Sequence, residues 1–417
     1  MYFIPNYVTY HEEDGAIFIT SNLRQNTVKL TAPEIINEFY SIVKDGGCAN
    51  ISTELTSFLH EQELLINKQE LVDALNELEE VLNDSLVLTI MPTEACNFRC
   101  TYCYENHESI TMSYKTLDHI LTYISEQIGN FKKLHISWFG GEPTLCKDTI
   151  LRTSNYIKKL KRKNSFDYAA SMTTNGYLLS LDDFVDYYNA GVTSYQITLD
   201  GWEHDLTRSH ITGTGTLNTI MENLIAISKL PQEEYQYQIA LRHNILQDSA
   251  CEDWYDYLFK LFGKDKRFFV RVRAVGNWGG DSVTSLKLLS KDNANDILQK
   301  HLDYIRKIGL LSEDKKTSPL SLICYASYPH SMVFRANGKI EKCTVCLDHP
   351  ANCIGQVYES CGIKIDEDVN RKWYKTSLTE NCIHCSNVLA CLNKQCRKAQ
   401  IVDAQSTCTV PSFLQYE

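Results

Sequence analysis

No apolar run in the 417-residue chain approaches the roughly 20 residues that a membrane helix needs. The first residues, MYFIPNYVTYHEEDG, lack the basic-then-apolar layout of a secretory signal. Both absences predict a cytoplasmic protein with no membrane partner. Positive charge is in deficit, with 41 Lys and Arg against 52 Asp and Glu and a net charge of -11. A nucleic-acid footprint needs a basic surface, so no nucleic acid is expected as a partner. The single basic run, Lys158 to Lys163, reads as the solvated end of a helix. Internal repeats and low-complexity tracts are missing too. Cysteine is scarce at first, since only Cys48 precedes Cys96, and then abundant: ten of the 16 fall between Cys324 and Cys408. A reducing compartment disfavours disulfides, which leaves metal ligation or catalysis for such a cluster.

The periodicity divides the chain into three. Residues 1–86 carry extended stretches at Tyr7–His11, Ala16–Ser21 and Asn26–Leu30, with an Asp14-Gly15 turn between the first two. A helix is expected from Thr31 to about Val43, opened by a Thr31/Glu34 capping box with Pro33 in the first turn and stopped at Gly46-Gly47. Helices around Thr53–His60 and Lys68–Leu82 follow. Three strands and three helices resemble a winged-helix α+β unit.

From residue 87 to 313 the pattern alternates. Strands are predicted at Leu86–Ile90, Leu134–Phe139, Tyr168–Thr174, Ser194–Leu199, Gln236–His243 and Phe268–Val275. Helices such as Tyr114–Ile128, Asp148–Lys161, Leu217–Ser228 and Glu252–Leu261 lie between them. Six such units predict an α/β fold, a partial (β/α)6 TIM-type barrel with its chemistry at the C-terminal strand ends. Residues 314–417 lose this periodicity and predict a loop-rich domain stapled by metal.

The strongest signal directly follows the first barrel strand: Cys96-Asn-Phe-Arg-Cys100-Thr-Tyr-Cys103. Three thiolates on one loop can hold three corners of a four-iron cluster and leave the fourth iron open. A zinc site more naturally shows two Cys-x2-Cys pairs. With 16 cysteines in 417 residues, this spacing is expected by chance about 0.02 times, so the loop reads as a cluster site. It resembles the signature loop of the radical S-adenosylmethionine (SAM) superfamily. The resemblance implies a 4Fe-4S cluster on Cys96, Cys100 and Cys103, with Tyr102 beside it. It also implies SAM chelated to the open iron and cleaved to a 5′-deoxyadenosyl radical that abstracts a substrate hydrogen.

Three further segments sit at predicted strand ends. Gly140-Gly141-Glu142-Pro143 resembles the family motif for the SAM amino group, its glycines allowing backbone to approach a ligand. Asn175 follows the third strand. Thr198-Leu199-Asp200-Gly201 with His204, Asp205 and Arg208 resembles the S-L-D-G…H-D-x-x-R stretch of peptide-modifying members, Thr198 replacing the usual serine. Arg208 is the candidate partner of the SAM carboxylate, with Arg242 as a second.

The C-terminal cysteines resemble a SPASM domain with two auxiliary 4Fe-4S clusters, making three in all. By that resemblance Cys382, Cys385, Cys391 and Cys408 hold the outer cluster. Cys324, Cys343 and Cys396 hold the inner one, whose fourth ligand is Cys346 or Cys353, or an open iron left for a substrate thiolate. The spacing before Cys396 is x4 where the family has x3. Cys48, Cys146, Cys251 and Cys361 are read as bystanders.

The N-terminal layout resembles a leader-recognition domain, in which the edge strand Asn26–Leu30 accepts a peptide beside the Lys68–Leu82 helix. A plain cap on the barrel is the other reading. The expected function is modification of a ribosomally made precursor peptide that carries a leader, forming a thioether or carbon–carbon crosslink. A flavodoxin- or ferredoxin-type donor would supply electrons. The alternatives are an anaerobic sulfatase maturase making formylglycine and a non-catalytic zinc-stapled binding protein.

Overall fold

The computed structural model describes residues 2–247, 251–311, 323–377, 379–383, 385, 388–394 and 396–405. Of the expected site residues, Cys408 lies outside them. The described residues form two compact units. One combines those of Met1–Asn83, Lys316–Pro329 and Lys372–Glu417; the other, those of Asp84–Lys315 and His330–Arg371. Residues 314–417, expected as one domain, are thus shared between the two.

In the first unit, β1 (Val8–Glu13), β2 (Ala16–Ser21) and β3 (Asn26–Leu30) form an antiparallel sheet in that order. The β1–β2 loop is Asp14-Gly15, with φ of 51° and 71°. Positive φ at both central residues is the hairpin geometry that twists with its strands. Helices α1 (Pro33–Lys44), α2 (Glu54–Glu61) and α3 (Lys68–Asn83) follow. The expected capping box of α1 is not formed. Ala32 is the N-cap, in extended conformation and without a side-chain bond, because Pro33 takes the first helical position and disfavours helical geometry before it. Thr53 and Thr56 instead make a reciprocal capping box on α2.

The apolar core of this unit gathers Ile17, Ile19, Phe39, Leu59, Leu71 and Leu75 with Ile323, Val388, Leu389 and Leu392. Full burial of one such side chain contributes about 1.5–3 kcal/mol. That contribution binds the late segments to the first 83 residues.

In the second unit, β4 (Ser85–Ile90), β5 (Lys133–Trp138), β6 (Asp167–Thr174), β7 (Val192–Thr198), β8 (Gln238–Ile245) and β9 (Phe268–Ala274) lie side by side, parallel and in chain order. A helix follows each: α4 (Tyr114–Gln127), α5 (Lys147–Lys161), α6 (Leu181–Asn189), α7 (Leu217–Ser228), α8 (Glu252–Phe262) and α9 (Lys291–Ile308). This is the partial barrel. Leu134, Ile136 and Trp138 of β5 are buried on one face. The alternate positions His135 and Ser137 bond Ser171 of β6, on the face that carries Thr173 into the cavity described below.

Beyond β4 the sheet continues. β10 (Ser331–Phe334) runs parallel to it, and β11 (Lys339–Glu341), β12 (Cys353–Tyr358) and β13 (Gly362–Ile365) follow antiparallel. Part of the region expected to be loop is therefore sheet. Its strands are too short for their alternation to stand out in the sequence.

Candidate active site

The loop leaving β4 is built by close backbone approach. Phe98–Cys100 pairs antiparallel with Arg208–His210, placing Cys100 opposite Arg208. A Cβ on Gly140 would run into the Thr93 carbonyl, and one on Gly141 into that of Ala95. These glycines serve the approach of the cysteine loop itself, beyond the ligand contact expected of them. Gly141 N–H donates to Thr93 O at 3.2 Å and Glu142 N–H to Ala95 O at 2.9 Å.

Cys96, Cys100 and Cys103 share one cavity with a volume of about 300 Å³. Burial, reinforced by Glu142, pushes the Cys96 thiol up to about 12. Burial and then Glu105 do the same to Cys103. Cys100 is raised by burial and eased by Arg208. Positive charge beside such thiols favours the thiolate, and a bound iron cluster would add to what Arg208 provides. Among the described residues no three His, Cys, Asp or Glu converge on a single-ion site. A four-iron cluster is larger and spreads its ligands further apart. The donor set fits such a cluster.

Glu142 is buried and raised by that burial, and hydrogen bonds counter the rise. Its Oε1 accepts from Thr144 N–H at 3.1 Å, Thr144 Oγ1 at 2.6 Å and Thr174 Oγ1 at 2.6 Å; its Oε2 accepts from Asn175 N–H at 2.7 Å. The carboxylate thus ties the loop after β5 to the loop after β6. Asn175 Nδ2 donates to Asn97 Oδ1 at 2.7 Å, which adds the cysteine loop.

A second web surrounds Tyr102. Its hydroxyl donates to Asp200 Oδ2 and accepts from Arg208 Nη1 and Asn244 Nδ2, each at 3.0 Å. Asp200 Oδ1 accepts from Asn244 N–H at 3.2 Å, and His204 Nδ1 from Asp200 N–H at 3.2 Å. Arg208 is buried, and its Nε has no partner among the described residues. Asp205 faces away from this chemistry: its Oδ1 accepts from the N–H groups of Thr216 at 2.7 Å and Leu217 at 2.9 Å at the start of α7. Arg242 Nε donates to Asn244 Oδ1 at 2.8 Å.

Tyr102, Gly140, Gly141, Glu142, Asn175, Thr198, Arg208 and Arg242 all line the cavity with the three cysteines. Pro143 does not; it is buried at the start of a 3-10 turn. Glu105, Asn244, Trp278, Thr344 and Val345 also line it and went unnoticed in the sequence. Only Asn244 carried a signal there, its place at the end of a barrel strand two residues after Arg242.

Cys343 and Cys346 are buried in the second unit, and Val345 N–H points to Cys343 Sγ at 3.5 Å. Cys353 lies in β12, its thiol on Gly355 O at 3.5 Å. Cys324, Cys382, Cys385, Cys391 and Cys396 belong to the first unit, where Cys382 and Cys385 pack against the apolar core.

Residues 90–240 match the radical SAM superfamily. The chain is 30% identical over 276 residues to GTP 3′,8-cyclase of Haemophilus influenzae (strain ATCC 51907 / DSM 11121 / KW20 / Rd), covering 61% of this chain and 77% of that protein. It is 24% identical over 294 residues to GTP 3′,8-cyclase of Pasteurella multocida (strain Pm70), covering 64% and 82%. The chain belongs to the radical SAM superfamily and is an enzyme of that class, which replaces the zinc-stapled reading. The family implies SAM and a 4Fe-4S cluster. Native anSMEcpe with bound AdoMet and Cp18Cys peptide shares the fold, with TM-score 0.53 and 15% identity over 80% of this chain and 94% of that one. So does Streptococcus suis SuiB bound to precursor peptide SuiA, with TM-score 0.51 and 14% identity over 98% of each.

Proposed function

We propose that this enzyme modifies a ribosomally made precursor peptide, binding its leader on the first unit and forming a thioether or carbon–carbon crosslink. The observation that supports it most is the open edge of β3, which has β2 as its one sheet neighbour among the described residues. Its outer main-chain groups can pair with an extended peptide. The likeness to peptide-bound SuiB, spanning 98% of the chain, agrees.

In this reading Cys96, Cys100 and Cys103 hold the cluster. Arg208, held by Tyr102 and kept charged by Cys100, Tyr102 and Asp200 despite burial, takes the SAM carboxylate on its free edge. Gly140, Gly141, Glu142, Asn175 and Thr198 form the remaining SAM site, Glu142 by fixing its neighbours. When bound, the cluster and SAM supply hydrogen abstraction. Auxiliary clusters would take the later cysteines, with Cys382, Cys385, Cys391 and Cys408 as the outer set. Iron analysis decides their number: about four iron per chain for one cluster, about twelve for three.

The identity to GTP 3′,8-cyclases supports a second reading, cyclisation of a nucleotide, although the match covers 61% of the chain. Oxygen-free reconstituted enzyme, SAM and dithionite should be offered the peptide encoded beside the gene and, separately, GTP. The proposal expects 5′-deoxyadenosine release coupled to loss of two hydrogens from the peptide. A formylglycine product favours the sulfatase-maturase reading, and conversion of GTP with no change in the peptide favours the nucleotide reading; either rejects the proposal.

A further inference from the structure

Thr344 and Val345 line the same cavity as the three cysteines. They sit between buried Cys343 and Cys346, on a loop held by Asn352. Asn352 Nδ2 lies 2.8 Å from Cys343 O, 3.0 Å from Cys346 O and 3.1 Å from Glu341 Oε2, and its Oδ1 accepts from Cys343 N–H at 2.9 Å. Glu341 Oε1 in turn accepts from Arg335 Nη1 at 3.3 Å. The other edge of the same guanidinium grips Glu94, Nε on Oε1 at 3.0 Å and Nη2 on Oε2 at 2.5 Å. Glu94 comes two residues before Cys96.

Arg335, Glu94 and Glu341 are all buried. A bidentate guanidinium fixes angle as well as distance, which a single ammonium cannot do. Two buried carboxylates that share one cation are strongly held, because losing it leaves charge without solvent or partner. The chain of contacts therefore runs from the cysteine loop through Glu94, Arg335, Glu341 and Asn352 to the loop bearing Thr344 and Val345.

We propose that Arg335 is a positioning residue that holds these two walls of the cavity at a fixed separation. It thereby sets how closely SAM and a substrate group are enclosed together. This deepens the reading of the cavity as the reaction site and rests on it.

Hydrogen exchange of full-length, reconstituted protein under anaerobic conditions tests the idea without turnover. R335K keeps the charge and loses the fork; R335Q and E94Q remove one charge each. D348N alters the half-exposed carboxylate that also touches Arg335 at 2.7 Å. The expected result is exchange raised about tenfold in both 92–97 and 342–352 for R335K, R335Q and E94Q, with 167–174 and 192–198 unchanged. D348N should leave 92–97 protected. The same three variants should raise the SAM KM for 5′-deoxyadenosine release more than they lower kcat. Exchange raised only in 342–352, or raised equally throughout the unit in R335K and E94Q, overturns the proposal. Failure of the unaltered protein to cleave SAM rejects the functional reading instead and leaves the exchange result to judge the coupling.

Discussion

Tyr102 and Arg208 lie 106 positions apart in the chain, yet the phenol oxygen meets Nη1 at 3.0 Å. That oxygen spends its one proton on Asp200 and both lone pairs on Arg208 and Asn244. It is fully committed, and Arg208 is aimed by it.

Y102F should therefore weaken SAM binding with little change in fold. Hydrogen bonds to charged groups contribute about 1.5–3 kcal/mol, so the Kd for SAM should rise about ten- to hundredfold. Anaerobic calorimetry with reconstituted protein measures it. An unchanged Kd would remove Arg208 from the SAM site.

G141A should cost the signature loop its cluster, because the added Cβ meets the Ala95 carbonyl. Iron content should fall by about four per chain. Gly129 has no atom within 4 Å of its would-be Cβ, so G129A is the control and should keep its iron.

Asp205 gives a pH-dependent test of stability. Burial pulls its carboxyl upward, but hydrogen bonds from Thr216 and Leu217 outweigh that and hold it below the ordinary value. The stabilisation is thus complete above the unfolded-state pKa of about 3.9 and is lost as pH falls through the folded-state one. D205A should cost about 1 kcal/mol at neutral pH, no more, since the side chain is exposed and screened. The gap between wild type and variant in urea titrations should close as the pH drops below about 4.

Deleting residues 2–83 should yield a sticky protein in place of a leader-blind one. Ile323, Val388, Leu389 and Leu392 would lose their apolar cover, each worth about 1.5–3 kcal/mol when fully buried. Dye binding and gel filtration should show exposed apolar surface and association. A monomer that binds no dye refutes the shared core. Leader recognition is better probed by point changes along β3.

The barrel was legible because buried parallel strands are dense apolar runs. β4 begins one residue from its expected start, and α7 falls on its expected bounds. The cysteine loop was legible from spacing alone. Arg335 was not, because Glu94 meets it from 241 positions away, and Thr344 was not, because the cavity it lines is assembled from segments scattered from Cys96 to Trp278. At α1 a local rule failed because another local rule won: Pro33 displaced the Thr31 cap. The role of Glu142 was half legible; its position read as ligand-facing, while its four protein donors could not be foreseen.

The apolar core joining Leu71 and Leu75 to Leu389 and Leu392 has a consequence for synthesis. The ribosome delivers residues 2–83 well before the segments that cover them. The barrel region emerges between them and can fold while the amino-terminal helices still show a greasy face. Nascent chains should need chaperone shielding until Val388 to Leu392 are released, and a stop codon before Val388 should leave residues 2–83 the least finished.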